Sequence, residues 1–134
     1  MDIARGAPYT EKGSKFYGYF ARVESAAEFK AFMDAVKTEH KKASHYVFAY
    51  IVNEKVAGDQ VSLFDDRVRK EKYSNDGEPS GCGNALFSLL KPKGENVALI
   101  VVRYFGGVLL GSGNLIRAYS TAGKAAVHSA ELSK

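Results

Sequence analysis

A single cysteine, Cys82, stands in the 134 residues, so no intramolecular disulfide can form and the chain suits a reducing compartment. Histidine is nearly as scarce. His40, His45 and His128 are scattered, without the paired spacing of a metal site, and no metal is expected. The longest apolar run, Val97 to Val102, is far too short to cross a bilayer. The N-terminal stretch MDIARGAPYTEKGSKF has neither the apolar centre of a secretory signal nor the Arg-rich, acid-free pattern of an organelle presequence. No membrane association and a cytoplasmic location are therefore expected. The chain has no internal repeat and no low-complexity tract. Its glycine-rich segments match neither G-x-x-x-x-G-K-[ST] nor G-x-G-x-x-G, so neither nucleotide fingerprint is met and no cofactor is expected.

What is present suits one domain over residues 1–134, with no second domain. Lys and Arg outnumber Asp and Glu by 19 to 15, a net charge of +4 that permits nucleic-acid or acidic partners without demanding them. FYGYFARV (16–23) reads as a strand; its alternating aromatics suit core and sheet surface better than a base-stacking platform, because no basic-aromatic signature accompanies them. Ser25-Ala26-Ala27-Glu28 is a capping box that opens a helix, with Phe29, Phe32, Met33 and Val36 on one buried face and an end near His40. YVFAYIV (46–52) reads as a central strand and Lys55–Leu63 as its hairpin partner, while DDRVRKEK (65–72) suits an exposed loop or strand edge. LFSLL (86–90) is helical and stopped by Pro92, VALIVV (97–102) is a buried strand, and an apolar stripe from Leu115 to Ala130 marks a long last helix. This order of elements predicts an α+β domain built as a two-layer sandwich.

Two stretches carry the chemistry. SNDGEPSG (74–81) has no apolar side chain, and RYFGG (103–107) ends the buried strand before a glycine-rich junction to a helix N-terminus. Such a junction favours anions, although glycine equally serves tight turns. An arginine at the end of a buried strand needs an anion, and Asp76 and Glu78 are the internal candidates for Arg103 or for Arg117 one turn into the helix. Pairing would pin the two loops together, and the same groups could instead hold a partner. If they pair, Glu78→Ala should cost about 1–3 kcal/mol through hydrogen bonds left unmade. Cys82 as a nucleophile lacks a nearby histidine, and Asp76 with Glu78 as an acid/base pair lacks fixed geometry. His45 reads as a boundary histidine bonded to a loop carbonyl.

GSKF (13–16), ASHYVFAY (43–50), SNDGEPSG and VVRYFGGVLLGSGNLIRAYS (101–120), in that order, resemble the IMPACT family, the UPF0029 domain shared with bacterial YigZ-type proteins. The resemblance implies a ribosomal-protein-S5-domain-2-like fold, a mixed sheet with helices on one face. It also implies a translation-linked role without catalytic residues. Eukaryotic members look like regulators that bind the large activator of the eIF2α kinase of the starvation response. Bacterial members, similar to a domain of elongation factor G, suggest RNA or ribosome binding. An enzyme on a small anionic substrate, contacted by Asp76, Glu78 and Arg103, is a third reading. Asp76, Gly77, Glu78, Pro79, Ser80, Gly81, Arg103, Tyr104, Gly106, Gly107, Gly111, Gly113 and Arg117 match the family pattern and form the expected binding surface. The chain departs from the pattern at Cys82-Gly83-Asn84-Ala85-Leu86, where T-A-G-K-P is usual, and at Leu109, where lysine is usual. Two cations that could meet phosphate are thus missing, which disfavours nucleic acid. Bacterial members commonly carry a further ferredoxin-like domain and eukaryotic members an RWD domain, and neither is legible here.

Overall fold

Helix α1 (Ala26–Glu39) begins at the capping box: Ser25 Oγ accepts from the Glu28 N–H at 3.1 Å, and the Glu28 carboxylate accepts from the Glu24 N–H at 2.9 Å. Its buried residues are the four at helical spacing, Phe29, Phe32, Met33 and Val36. The structure, a computed structural model, describes residues 1–56 and 66–133. The strands are β1 (Ile3–Arg5), β2 (Tyr9–Glu11), β3 (Ser14–Arg22), β4 (His45–Lys55), β5 (Arg67–Ser74) and β6 (Val97–Tyr104). Helices α2 (Cys82–Leu90) and α3 (Ser112–Leu132) complete the framework, with a 3₁₀ turn at Lys91–Lys93 where Pro92 stops α2. No helix among the described residues is long and apolar enough to cross a membrane.

The sheet runs β1-β3-β6-β4-β5, with β2 also paired to β3. The α+β class is as expected, but the layers differ from the expectation of a mixed sheet with helices on one face. Every pairing among the described residues is antiparallel. Along β6, Val97, Leu99 and Val101 face α2 and α3, whereas Ala98, Ile100 and Val102 face α1. A strand of unbroken apolar residues presents both its faces for burial, and each face must then be covered. Helix α1 covers the second one. The chain direction is equally informative. β3 and β4 run the same way with β6 inserted between them, and β5 and β6 run the same way with β4 between them. Two right-handed crossovers travelling in opposite senses would put α1 and α2 on the same face. Their placement on opposite faces means that the two crossovers have opposite hands.

The hairpin partner expected at Lys55–Leu63 falls largely on residues 57–65, outside the described residues. The strand that pairs with β4 is β5, in register from Lys55↔Arg67 to Phe48↔Ser74. Residues 67–72 of the charged run thus lie on an edge strand, which is exposed along nearly its whole length.

Helix α1 ends on His40, whose ring lies among Tyr17, Tyr19 and Tyr104. Nδ1 is 2.7 Å from the Tyr104 hydroxyl, and Nε2 is hydrogen-bonded to that of Tyr19. Burial holds this imidazole below its ordinary value of 6.5, with nearby Glu39 opposing the shift. The unfolded chain therefore takes up a proton that the folded chain refuses. The stability tied to neutral His40 is present above pH 6.5 and is lost as pH falls from there through the lowered folded value. Urea midpoints measured between pH 7.5 and 5 should fall less steeply for His40→Gln than for the parent; parallel profiles would refute this.

Candidate functional site

Arg103, one residue from the end of β6, points to the α2/α3 face beside Phe16 of β3 and His45 of β4. Glu78 reaches the same place from the turn between β5 and α2. Both are buried, at 5% and 8% exposure, and a buried charge is tolerable only when paired. One guanidinium nitrogen, Nη1, donates to both Glu78 oxygens, at 2.9 Å to Oε1 and 2.8 Å to Oε2. Nη2 donates to Ser14 Oγ at 3.3 Å, and the Tyr119 hydroxyl of α3 donates to Glu78 Oε2. His45 Nε2 lies 3.3 Å from Glu78 Oε1, while its Nδ1 donates to the Asp76 carbonyl at 2.7 Å. The guanidinium sits between the rings of Phe16 and Phe105, 5.7 and 5.5 Å from their centroids. Arg103 Nε is buried without a hydrogen-bond partner among the described residues.

This buried pair has electrostatic consequences for its neighbours. Burial first, then the hydrogen bond to the Glu78 carboxylate, raises Tyr119 well above the ordinary phenol range. Burial, then the charge on Glu78, pushes the Cys82 thiol up to about 11, so it keeps its proton near neutral pH. The carboxylate itself is occupied by Arg103 and Tyr119. In this arrangement Glu78 and Arg103 act as a clamp between loops.

The clamp fixes the RYFGG loop against the GSK turn. Ser14 Oγ also accepts from the Gly106 N–H at 3.2 Å, Ser44 Oγ accepts from the Phe105 N–H at 3.0 Å, and the Ser44 N–H donates to the Arg103 carbonyl at 2.8 Å. Phe105 within this anchored stretch and Val108 and Leu109 beyond it are 51%, 47% and 86% exposed, and the loop re-enters the core at Leu110.

The structure thus joins SNDGEPSG to RYFGG through Glu78 and Arg103. The other expected partners go elsewhere. Asp76, at φ +47°, accepts from the Tyr46 N–H at 2.7 Å. Arg117 is exposed on α3 and bonds Asn114 one turn away. Tyr104 alternates to the α1 face and meets His40. Gly77, at φ +84°, lies against the His45 ring, and Pro79 and Ser80 are exposed in the same turn. Gly81 and Gly111 stand immediately before α2 and α3. Gly107, Gly111 and Gly113 face open space. Sequence reasoning did not assign Ser14, His45 or Tyr119 to the clamp, nor Val108 and Leu109 to an exposed patch. Ser14 and Tyr119 do fall inside the motif blocks GSKF and RAYS, which was the available signal. Among the described residues no group of three or more His, Cys, Asp or Glu could hold a metal ion.

Comparison with known proteins places this arrangement. The family model for the Impact N-terminal domain matches residues 12–127. The chain belongs to the IMPACT family. It is 35% identical over 79% of its length to the IMPACT family member YvyE of Bacillus subtilis, covering 44% of that protein. It is 33% identical over 81% of its length to the IMPACT family member YigZ of Escherichia coli, covering 49% of it. The Protein IMPACT homolog of Saccharomyces cerevisiae is 30% identical over 90% of the chain and 44% of that protein. The chain therefore spans about half the length of the curated relatives it matches. Among solved structures, that of a hypothetical protein superposes with a TM-score of 0.74 at 30% identity, over 96% of this chain and 61% of the other. The two-domain translational regulator Yih1 superposes with a TM-score of 0.54 at 27% identity, over 95% of this chain and 46% of that one. Leu109 is the most exposed large apolar side chain of the described residues.

Proposed function

We propose that this IMPACT-family chain is a non-enzymatic regulatory binding domain of the cytoplasm that acts in translation control through a protein partner. The observation that carries the reading is the loop Phe105–Leu109, an exposed apolar segment mounted on a buried ion pair, with leucine at 109 where the family pattern has a cation. Exposed apolar side chains suit the centre of a protein interface, where desolvation supplies the affinity; a phosphate backbone is met by cations, and Leu109 offers none. The two glycine-rich loops would form the rest of the surface, from Asp76 to Gly81 and from Gly106 to Gly113, with Glu78 and Arg103 supporting it from beneath. The likeness to the translational regulator Yih1 supports the same reading. In its finer form the partner is the large activator of the eIF2α kinase, as implied by the eukaryotic members.

The test is affinity capture of the tagged chain from its native lysate, with and without nuclease, beside a Leu109→Asp variant. Because Leu109 is exposed, the variant should unfold within about 0.5 kcal/mol of the parent. A translation-control protein that survives nuclease and is lost with Leu109→Asp is the expected result. Ribosomal components that vanish with nuclease would overturn it in favour of an RNA-binding module, and equal capture by the variant would remove the loop from the interface.

A further inference from the structure

Among the described residues, two helices, α2 and α3, cover one face of the sheet, whereas α1 packs on the other, over β3, β6 and β4. Towards β5 this cover thins: Tyr50 and Val52 of β4 are buried, Phe48 is half-buried, and Lys72 of β5 is exposed. A groove of about 270 Å³ lies there between α1 and β5. Its floor includes Phe48 and Met33, and Val68 beyond it on the same face of β5 is 42% exposed.

The banks of the groove are basic. Lys30 and Lys37 stand two turns apart on α1, and Lys72 faces them from β5. None of the three has a carboxylate at ion-pair distance among the described residues, whereas Lys70 is bound to Glu54. Among the described residues Asp76 is the one acidic residue lining the groove, and its Oδ2 accepts from the Tyr46 N–H. The groove therefore calls for negative charge flanking an apolar strip. A second copy of the chain would bring lysines against lysines. Single-stranded RNA would need open ring faces, but Phe48 and Tyr50 lie against Phe29, with centroids 4.9 and 4.6 Å away, and among the described residues no arginine lines the groove.

We infer that this groove docks an acidic amphipathic helix of a protein partner, its apolar face on Phe48 and Met33 and its carboxylates between Lys30 and Lys37 on one bank and Lys72 on the other. Helix-in-groove recognition of this kind reads apolar anchors at helical spacing and uses charge to select the partner. The surface is separate from the Phe105–Leu109 loop, and the inference stands whether or not that loop binds anything.

The experiment titrates the isotopically labelled full chain with three probes and follows backbone amide shifts. The probes are a synthetic helical peptide with leucines on one face and flanking glutamates, the same peptide with lysine for each glutamate, and an oligouridylate. The expected result is that the acidic peptide shifts Lys30, Met33, Lys37, Phe48 and Lys72, that the Lys30→Glu/Lys72→Glu variant weakens it about tenfold or more, and that Leu109→Asp leaves it unchanged. Equal binding of the lysine peptide, the oligouridylate moving the same amides, shifts confined to the Phe105–Leu109 loop, or no shift at millimolar peptide would each overturn it. The amide spectrum of the double variant reports whether it is folded, and a single Lys37→Glu variant repeats the test if it is not.

Discussion

Urea denaturation of Glu78→Ala at neutral pH should show a loss of about 3–5 kcal/mol, because the substitution leaves a buried guanidinium without its counter-ion. This exceeds the cost of unmade hydrogen bonds alone, and the reason is geometric. Nη1 of Arg103 bridges both carboxylate oxygens, the side chains are only 6% and 4% exposed, and the flanking rings of Phe16 and Phe105 cannot replace the lost negative charge. Removing both charges tests the explanation. A Glu78→Met/Arg103→Met chain should recover most of the loss, since buried ion pairs replaced by apolar groups of similar size are often neutral in stability. A single-variant loss below about 1 kcal/mol, the range of exposed pairs, would show that water reaches the pair and that it is no clamp.

Gly106→Ala should be comparably damaging by an unrelated cause. A Cβ at that position would lie 2.1 Å from the Gly13 carbonyl carbon and 2.4 Å from the Ser14 nitrogen, both backbone atoms with no rotamer to change. The GSK turn and the RYFGG loop would have to separate, breaking the Gly106 N–H to Ser14 bond and loosening the support of Arg103. A loss of about 3 kcal/mol or more is expected, at or above the top of the usual range for overpacking. Gly107→Ala is the control. It keeps open space around the Cβ but has φ +87°, so it should cost only about 1–2 kcal/mol of left-handed strain. Equal melting temperatures for the two variants would mean that the close approach at Gly106 is not a constraint.

The parts of this fold that sequence could reveal are those where one local pattern decides. The capping box and the four apolar positions of α1 need no knowledge of the rest, and both appear as read. The edge strand β5 was ambiguous because neither of its faces is buried, so the alternation that marks a strand is absent. β1 and β2, three residues each, are too short to carry a period. Which face α1 would take is a property of the connection between strands, invisible in the helix itself. The site divides in the same way. The need of Arg103 for a carboxylate followed from its place on an apolar strand, and Glu78 supplies it. Tyr119 falls within the apolar stripe of the last helix, and a period shows that a side chain is buried but not that its hydroxyl meets a carboxylate. His45 does bond a loop carbonyl, as expected, yet its other nitrogen faces Glu78 only because β4 is brought beside β6.

The central strand of the sheet is made long after both of its neighbours. β6 pairs with β3 on one side and β4 on the other, and it ends at Tyr104, far behind both in order of synthesis. At about 5–20 residues per second, some eighty residues separate the emergence of β3 from that of β6, so β3 waits roughly 4–16 seconds for its neighbour. The β4–β5 hairpin can form in that interval, but the β6-facing edges of β3 and β4 stay open. A nascent chain that stalls before Val97, or a transcript truncated there, therefore releases two apolar strands with exposed edges. Such a fragment would be a substrate for chaperones and a seed for aggregation.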